Sequence, residues 1–391
     1  MIYLDSNATT FPVPDLNRVM EPYLSEEFGN PSSGSYLLGK RAKQALEDAR
    51  IELSRLVDSE PEEIIFTSGG TEAISIAILG ASAKMKRESV LLESAIEHVA
   101  VREAFRFCSK GFSHKVSIIP ALPSGVVDIN FARNQLNPDN DSVSSLMWAN
   151  NETGVIQPVN EFSELHKSTK GLFITDAVQA VGKTSVSFRK SGANFMSLSA
   201  HKFGGPKGIG ALIVKKGTSW ESPFCGGGQE GGRRGGTEAV ALIAGMGEAA
   251  RYAKENLEMG EEERLGSLRD LFENLLLDEF SDISIIGKNS KRLSNTSFFL
   301  VPGIIGQDLV VELGKNGVFV SAGSACKTGQ FSPSHVLTAM GISAMDSLSA
   351  IRVSFGHKNQ LEEVKNAVSV FSKTIKNERE KFSKKINKVL T

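Results

Sequence analysis

The sequence predicts an α/β protein in which helices cover both faces of a mostly parallel β-sheet and a smaller α+β domain follows. Three observations carry this prediction. The chain has 391 residues, which is too many for a single hydrophobic core. Short apolar runs alternate with amphipathic stretches between about residues 60 and 215. A long helical pattern then separates this region from a second group of apolar runs.

The apolar runs of the first region are predicted to be strands. Their apolar character is nearly continuous, which is typical of strands buried on both faces of a parallel sheet. The predicted strands are Glu63–Thr67, Ser89–Leu92, Val116–Ile119, Ser145–Trp148, Leu172–Thr175, Phe195–Leu198 and Ala211–Val214. Ahead of them, apolar residues at helical spacing between Leu38 and Leu56 predict a surface helix.

A glycine-dense stretch and a long helical pattern mark the end of the first region. The glycines lie within Pro223–Gly236, and the helical pattern runs from about Ala239 into Glu279. We place the domain boundary inside this pattern, near residue 256. Beyond it, Leu293–Leu300 and Ile351–Phe355 are predicted to be strands of the smaller domain.

Composition excludes several classes of protein. Apolar residues make up 40% and charged residues 23%, and 44 basic against 45 acidic side chains leave a net charge of −1. This balance argues against nucleic-acid binding driven by bulk charge. No apolar run approaches the roughly 18 residues of a membrane span, and an acidic residue lies where a signal peptide carries basic ones. We therefore expect a cytoplasmic enzyme with neither nucleic acid nor membrane as a partner.

The three cysteines, Cys108, Cys225 and Cys326, are widely spaced and form no CxxC pair, and the six histidines show no HxxxH spacing. We expect no metal site and no disulfide framework. Cys326 lies in a run of small residues before Lys327, a setting that suits an accessible, nucleophilic thiolate. A buried structural thiol is the alternative interpretation.

Lys202 is the strongest candidate for covalent chemistry. It follows a predicted strand and lies among small residues in Ser199–Gly210. Desolvation on a tight turn favours the free amine, and a free amine can form a Schiff base. Lys207 lies in the same segment and is a rival.

Other candidates follow predicted strands, at the sheet edge where α/β proteins bind ligands. Ser68–Glu72 leads into a predicted helix, whose N-terminus would attract a phosphate, although an ordinary glycine turn with a threonine cap explains it equally. Asp176 could hold a pyridine nitrogen protonated or could cap a helix. His98 could stack on a flat cofactor and move protons, and Asn150–Gly154 offers amide donors.

Together these segments resemble the cysteine desulfurases, pyridoxal-phosphate enzymes of the class V aminotransferase group. The similarity runs nearly from end to end. The matching segments are Tyr3–Thr10, Phe28–Ser33, Thr67–Glu72, Asn150–Gly154, Asp176–Gln179, Ser199–Lys202, Arg234–Thr237 and Gly323–Cys326.

The resemblance implies a fold and a set of site residues. The fold is type I of the pyridoxal-phosphate-dependent transferases, with a large seven-stranded domain of residues 13–256. A small domain of residues 1–12 and 257–391 would carry the catalytic cysteine. The implied pyridoxal 5′-phosphate site consists of Gly70, Thr71, His98, Asn151, Asp176, Gln179, Ser199, His201, Lys202 and Thr237.

The resemblance also implies a role for each residue. Lys202 forms the Schiff base, His98 stacks on the ring, Asp176 pairs with the ring nitrogen and Gln179 contacts the ring hydroxyl. The phosphate is held by Gly70, Thr71, Ser199 and His201, with Thr237 supplied by the second subunit of a homodimer. The substrate carboxylate is bound by Asn151 and Arg352.

The implied reaction removes sulfur from L-cysteine. It gives L-alanine and a persulfide on Cys326, which passes to an acceptor such as an iron–sulfur scaffold protein. A selenocysteine or cystine lyase, or another class V enzyme, is the alternative, as is a relay protein without turnover. Two positions depart from the usual family pattern, Cys225 before the triple glycine and His357 after the arginine strand.

Overall fold

The structure, a computed structural model, describes residues 1–323, 326–327 and 330–390, and it describes side chains for residues 1–323 and 332–381. Its helices are α1 (Leu16–Leu24), α2 (Leu37–Val57), α3 (Gly70–Ser82), α4 (Val99–Phe112), α5 (Ile129–Gln135), α6 (Val159–Glu164), α7 (Phe188–Ser191), α8 (Val240–Glu258), α9 (Glu261–Glu279), α10 (Gly306–Lys315), α11 (His335–Ala339), α12 (Ala344–Ser347) and α13 (Leu361–Leu390). Its strands are β1 (Ile2–Tyr3), β2 (Ile64–Thr67), β3 (Val90–Ser94), β4 (Lys115–Ile119), β5 (Ser142–Ser145), β6 (Leu172–Asp176), β7 (Phe195–Ser199), β8 (Gly210–Val214), β9 (Ser284–Ile285), β10 (Thr296–Leu300), β11 (Val318–Phe319), β12 (Ser321–Ala322), β13 (Cys326–Lys327), β14 (Gln330–Phe331) and β15 (Ala350–Ser354).

Within the described residues, seven strands form the main sheet, in the order β2-β8-β7-β6-β5-β3-β4. Strand β8 runs antiparallel to both of its neighbours, and the other strands of this sheet run parallel to one another. Every residue of β2, β7 and β8 is buried, as the continuous apolar runs predict. The sheet confirms the predicted fold class.

Helices cover both faces of this sheet. Successive strand residues point to opposite faces, so Leu91 packs in one hydrophobic cluster and Leu92 in another. The first cluster includes Ile74 of α3 and Phe105 of α4, whereas the second includes residues of α2 and α8, such as Met246. The sheet is therefore buried between two helical layers.

The fifth strand lies earlier in the chain than the sequence predicts. The run Ser145–Trp148 is predicted to be a strand, but β5 ends at Ser145, where its pairing with β3 also ends. The chain continues along β6, because Leu146 N donates to Ile174 O at 3.1 Å and Trp148 N donates to Asp176 O at 2.8 Å. The apolar run thus extends past the strand, and Met147 within it lines a cavity.

The long helical pattern after Ala239 forms two helices rather than one. Helix α8 ends at Glu258 and α9 begins at Glu261. Gly260 lies between them with φ of +85°, a left-handed conformation that glycine adopts without a steric penalty. This turn breaks the predicted helix close to the predicted domain boundary.

The residues beyond this break form a smaller α+β unit. Strands β12, β15, β10 and β9 form an antiparallel sheet in that order, and a separate hydrophobic cluster joins it to α9, α10 and α13. Leu4 belongs to the same cluster, and β1 pairs in parallel with β11. These contacts support the division into residues 13–256 and residues 1–12 with 257–391, which stays a prediction.

Two kinds of feature are missing from the described part of the chain. None of its helices has both the length and the apolar character that a bilayer span requires. It also holds no group of three or more His, Cys, Asp or Glu side chains placed to bind a metal ion.

Candidate active site

A cavity of about 370 Å³ opens at the carboxyl ends of the main-sheet strands. Ten of the predicted site residues line it. They are Gly70, Thr71, His98, Asn151, Asp176, Gln179, Ser199, His201, Lys202 and Arg352. The cavity is also lined by Asn7, Ala8, Ile74, Met147, Ala149 and Val178.

Parallel strands bring these residues together. Strand β6 ends at Asp176, β7 ends at Ser199, and α3 begins at Gly70 three residues after β2 ends. A short 3₁₀ turn, Ala200–Lys202, follows β7 and carries the lysine. The site therefore occupies the position that open α/β sheets use for ligands.

Lys202 is held by backbone carbonyls. Its Nζ donates to Asn7 O at 2.7 Å and to Ala8 O at 2.9 Å. Burial, together with the positive charge of Arg352, lowers the pKa of the Lys202 amine to about 8. Lys207, the rival, is exposed and does not line the cavity. The geometry therefore favours Lys202 as the reactive amine.

Asp176 places a buried carboxyl group in the same cavity. Its Oδ1 accepts from Val178 N at 2.9 Å and from Ser197 Oγ at 3.2 Å. Burial raises the pKa of this carboxyl. Asp176 thus stabilises the turn after β6 and also lines the cavity. The two interpretations of Asp176 from the sequence, a cap and a partner of a ring nitrogen, are therefore compatible with each other.

His98 lies at the N-terminus of α4. Its Nδ1 accepts from Ala100 N at 3.2 Å, so the neutral ring carries its proton on Nε2. The preceding Glu97 is buried, and its Oε1 accepts from Met147 N at 2.8 Å. Burial raises the pKa of Glu97 to about 8, and the negative charge of Asp176 adds to this effect.

The N-terminus of α3 offers unsatisfied backbone N–H groups. Gly69 precedes the helix, and no described side chain caps it there. Glu72 instead accepts from Ser68 N at 2.8 Å and pairs with Arg234 at 2.8 Å. Helix termini of this kind attract anions, because both the N–H groups and the helix dipole favour negative charge.

Ser199 and His201 line the cavity together with this helix terminus. Burial lowers the pKa of His201 to about 4, and the positive charge of Lys202 adds to this effect. His201 is therefore neutral at neutral pH. Its Nδ1 lies 3.3 Å from Thr9 Oγ1.

Arg352 comes from β15 of the smaller unit. Its Nη2 donates to Asp5 Oδ1 at 2.7 Å, and its Nη1 donates to Asn151 O at 3.0 Å. Its Nε is buried and has no hydrogen-bond partner among the described residues. A buried N–H of a cation without a partner favours an anionic ligand at this point.

Comparison with known proteins identifies the family. The sequence profile described as aminotransferase class-V matches residues 2–367. A cysteine desulfurase of Bradyrhizobium diazoefficiens is 41% identical over 373 residues, which cover 95% of this chain and 93% of the relative. The chain belongs to the cysteine desulfurases of the class-V aminotransferase family. The resemblance stated from the sequence motifs is thus confirmed.

Solved structures of similar proteins have the same fold. A NifS-like protein matches with a TM-score of 0.87 and 33% identity, over 96% of this chain and 99% of that protein. A structure described as SspA in complex with cysteine matches with a TM-score of 0.79 and 28% identity, over 91% of this chain and 99% of that one.

Two of the residues predicted from the desulfurase resemblance do not line the cavity as described here. Thr237 is exposed and lies outside the cavity of its own chain. The backbone of Cys326 pairs with Phe331 in the β13–β14 hairpin, and its side chain lies outside the described residues. The roles predicted for both residues stay predictions.

Three polar residues near the site have no role in the predicted set: Asn7 and Lys183, which are buried, and Glu152, which is partly buried. Asn7 lies in the matched segment Tyr3–Thr10, and Lys183 lies four residues after Gln179. Glu152 follows Asn151, accepts a hydrogen bond from Ser334 Oγ, and has its pKa raised to about 7 by burial. Lys183 bonds to the nearby Gln179, but its other partner, Asn7, and the partner of Glu152, Ser334, lie far away in the sequence, so no local pattern indicates these contacts.

Proposed function

We propose that this chain is a cysteine desulfurase that uses pyridoxal 5′-phosphate to convert L-cysteine into L-alanine and a persulfide on Cys326. One observation carries the proposal. A single cavity joins a half-buried amine of lowered pKa, a buried carboxyl group and an uncapped helix N-terminus. The cysteine desulfurase relatives and the similar protein solved with cysteine support the same substrate.

The residues of the cavity fit the cofactor. Lys202 offers an amine for the aldehyde, and the buried carboxyl of Asp176 favours a cationic ring nitrogen as its partner. The N–H groups at Gly70 and Thr71 form the cradle for a phosphate. The volume of about 370 Å³ lies within the range of small-ligand pockets.

Bound pyridoxal phosphate supplies an aldehyde that joins amines covalently and a ring that accepts the electrons of a broken Cα–H bond. The chain supplies groups that bind the substrate and move protons. Arg352 Nε and the Asn151 side chain would bind the cysteine carboxylate, because a guanidinium pairs well with it. The amine of Lys202 can take up or release a proton near neutral pH, and His98 Nε2 offers a hydrogen-bond donor at the cavity.

Cys326 would accept the sulfur. Its thiolate attacks the substrate sulfur, the bond from that sulfur to the β-carbon breaks, and a proton takes the place of the sulfur on the carbon. One cysteine and one enzyme thiol thus give one alanine and one enzyme persulfide, so atoms balance. The persulfide then passes to an acceptor, for which we propose an iron–sulfur scaffold protein.

We further propose that the enzyme is a homodimer in which Thr237 completes the phosphate site of the other subunit. Thr237 is exposed in its own chain. Large apolar side chains at Phe28, Tyr36, Leu37 and Phe224 are also exposed, which is typical of surfaces that associate.

The test uses the full chain loaded with pyridoxal phosphate. We expect a visible absorbance band, and we expect alanine and sulfide when cysteine and an excess thiol reductant are added. Cys326→Ser should keep the band and lose sulfide release, whereas Cys225→Ser, at an exposed free thiol, should keep both. Full sulfide release by Cys326→Ser would contradict the proposed nucleophile. Turnover of only selenocysteine or cystine would indicate a lyase instead.

A further inference from the structure

A second lysine, Lys183, is buried beside the site and has no part in the reaction described above. Only 5% of its surface is exposed. Its Nζ donates to Asn7 Oδ1 at 2.7 Å and to Gln179 Oε1 at 2.6 Å. A fully buried lysine is rare in proteins unless its amine is paired, so this position needs an explanation.

Lys183 sets the direction of two side-chain amides. An ammonium group only donates hydrogen bonds, so both amide oxygens must face it and both NH₂ groups must face away. Gln179 accordingly directs its Nε2 to Asn7 O at 3.0 Å, beside the cavity. Asn7 directs its Nδ2 to Thr296 Oγ1 at 2.9 Å.

The backbone carbonyl of Asn7 links this arrangement to Lys202. Asn7 O accepts from Lys202 Nζ at 2.7 Å as well as from Gln179 Nε2. Asn295 Nδ2 gives Asn7 Oδ1 a second donor at 3.2 Å. One network therefore connects the two lysine amines through Asn7 and Gln179, and a change at one lysine alters the surroundings of the other.

Several charged groups face Lys183. Lys202 and Arg352 repel its positive charge and Asp5 attracts it, and burial lowers its pKa well below the usual value. His357 and Glu261 line a cavity of about 50 Å³ that also borders Lys183 and Lys202. A neutral amine can also accept, but it keeps two protons for the two amide oxygens, and Asn7 O, which only accepts, still requires the Gln179 NH₂ group on its side.

We propose that Lys183 is a positioning residue: it fixes the Gln179 amide as a hydrogen-bond donor toward the cavity and tunes the proton affinity of the Lys202 amine. The first part, the direction of the Gln179 amide, rests on the proposed function, because it concerns the cofactor atom that this amide would meet in the cavity. A donor amide favours an oxygen anion, such as the ring oxygen of pyridoxal phosphate, over a neutral donor. The second part concerns residues of the chain alone.

The experiment compares Lys183→Met with the unmodified chain in two measurements. In the cofactor-free full chain, the pH dependence of Lys202 acylation is followed by mass spectrometry of its peptide. In the chain loaded with pyridoxal phosphate, the visible absorbance is titrated with acid and base. We expect both midpoints to rise by about one pH unit, because the two amide oxygens lose their donor and their uncompensated negative ends favour the cationic form of the Lys202 nitrogen. Lys190→Met, at an exposed lysine, is the matched control.

Lys183→Gln is the second variant, in case Lys183→Met does not fold. Glutamine gives both amides a partner but can accept as well as donate, so it leaves their direction unfixed. We expect a smaller rise of the same sign. Unchanged midpoints in a folded variant, with only a lower melting temperature, would overturn the proposal. Failure to bind pyridoxal phosphate would contradict the proposed function instead, and the cofactor-free measurement would still decide the role of Lys183.

Discussion

At the scale of single residues, the chemistry of the site depends on the surroundings of one amine. Lys202 Nζ donates to two backbone carbonyls, which stabilise the ammonium only partly against its burial. With a pKa of about 8, roughly a tenth of this amine is neutral at pH 7. The neutral amine is the form that attacks an aldehyde.

We predict that Lys202 reacts with amine reagents at a half-maximal rate near pH 8 rather than near pH 10.5. A raised pH increases the neutral fraction, so the rate rises with pH and levels off above about pH 9. The measurement is the acylation rate of the Lys202 peptide in the cofactor-free chain. A midpoint above pH 10 would show that burial does not destabilise the ammonium.

The motif residues could be predicted from the sequence, whereas their supporting contacts could not. Asp176 ends a largely apolar strand and Lys202 follows another within three residues, so their position at the sheet edge follows from the pattern. Asn7 acts through partners nearly 200 positions away in the chain, such as Lys202. Such a contact depends on how the N-terminal segment packs, and a single sequence carries no signal for it.

At the scale of elements, the start of α3 determines how close an anion can approach. A methyl group at Gly70 would lie 2.7 Å from Val178 Cγ2, closer than real contacts allow. The Val178 side chain, the helix terminus or the turn after β6 must then shift. Gly111 in α4 has no atom within 4 Å of the same position and is a matched site for comparison.

We predict that Gly70→Ala lowers the affinity for pyridoxal phosphate about tenfold, because the helix N–H groups move relative to the phosphate. The affinity for pyridoxal, which lacks the phosphate, should change little, and Gly111→Ala should change neither. Both affinities are measured by titrating the cofactor-free chain. An equal loss for the two ligands would place the phosphate elsewhere.

Two elements differ from the sequence prediction for reasons that tertiary structure supplies. Of the apolar run Ser145–Trp148, only Ser145 belongs to β5; Leu146 and Met147 are buried beyond the end of this strand, and Met147 lines the cavity. The helical pattern from Ala239 to Glu279 contains Gly260, whose left-handed conformation separates α8 from α9. Periodicity detects burial in both segments but does not report where hydrogen-bonded pairing stops.

At the scale of the whole molecule, the proposed homodimer makes a prediction about mixed dimers. If Thr237 serves the other subunit, a dimer of one Lys202→Ala chain and one Thr237→Val chain contains one complete site. We expect such dimers, purified through two different tags, to show about half of the unmodified activity. Dimers of unmodified and Lys202→Ala chains are the control. If Thr237 serves its own chain, the mixed dimer has no complete site, and its activity falls to half that of the Thr237→Val homodimer.

The buried acids make the stability of the whole chain depend on pH. Burial raises the pKa of Glu97 to about 8 and the pKa values of Glu93 and Glu152 to about 7. Above about pH 4.5 the unfolded chain releases these protons, whereas the folded chain keeps them until the pH reaches the raised values. The stability that these groups contribute is thus complete below pH 4.5. It decreases as the pH rises above this value, and the loss is complete once the pH has passed the raised values of about 7 and 8.

We predict that Glu97→Gln makes the free energy of unfolding less dependent on pH, because the amide cannot ionise. Between pH 5.5 and 7.5 the unmodified chain should lose roughly 3 kcal/mol more than the variant, since one proton contributes about 1.4 kcal/mol per pH unit. The measurement is urea denaturation of the cofactor-free chain at a series of pH values. Glu161→Gln, at an exposed glutamate, controls for the introduced amide. Parallel plots of unfolding free energy against pH for Glu97→Gln and the unmodified chain would contradict this prediction. They would show that Glu97 ionises as readily in the folded as in the unfolded state.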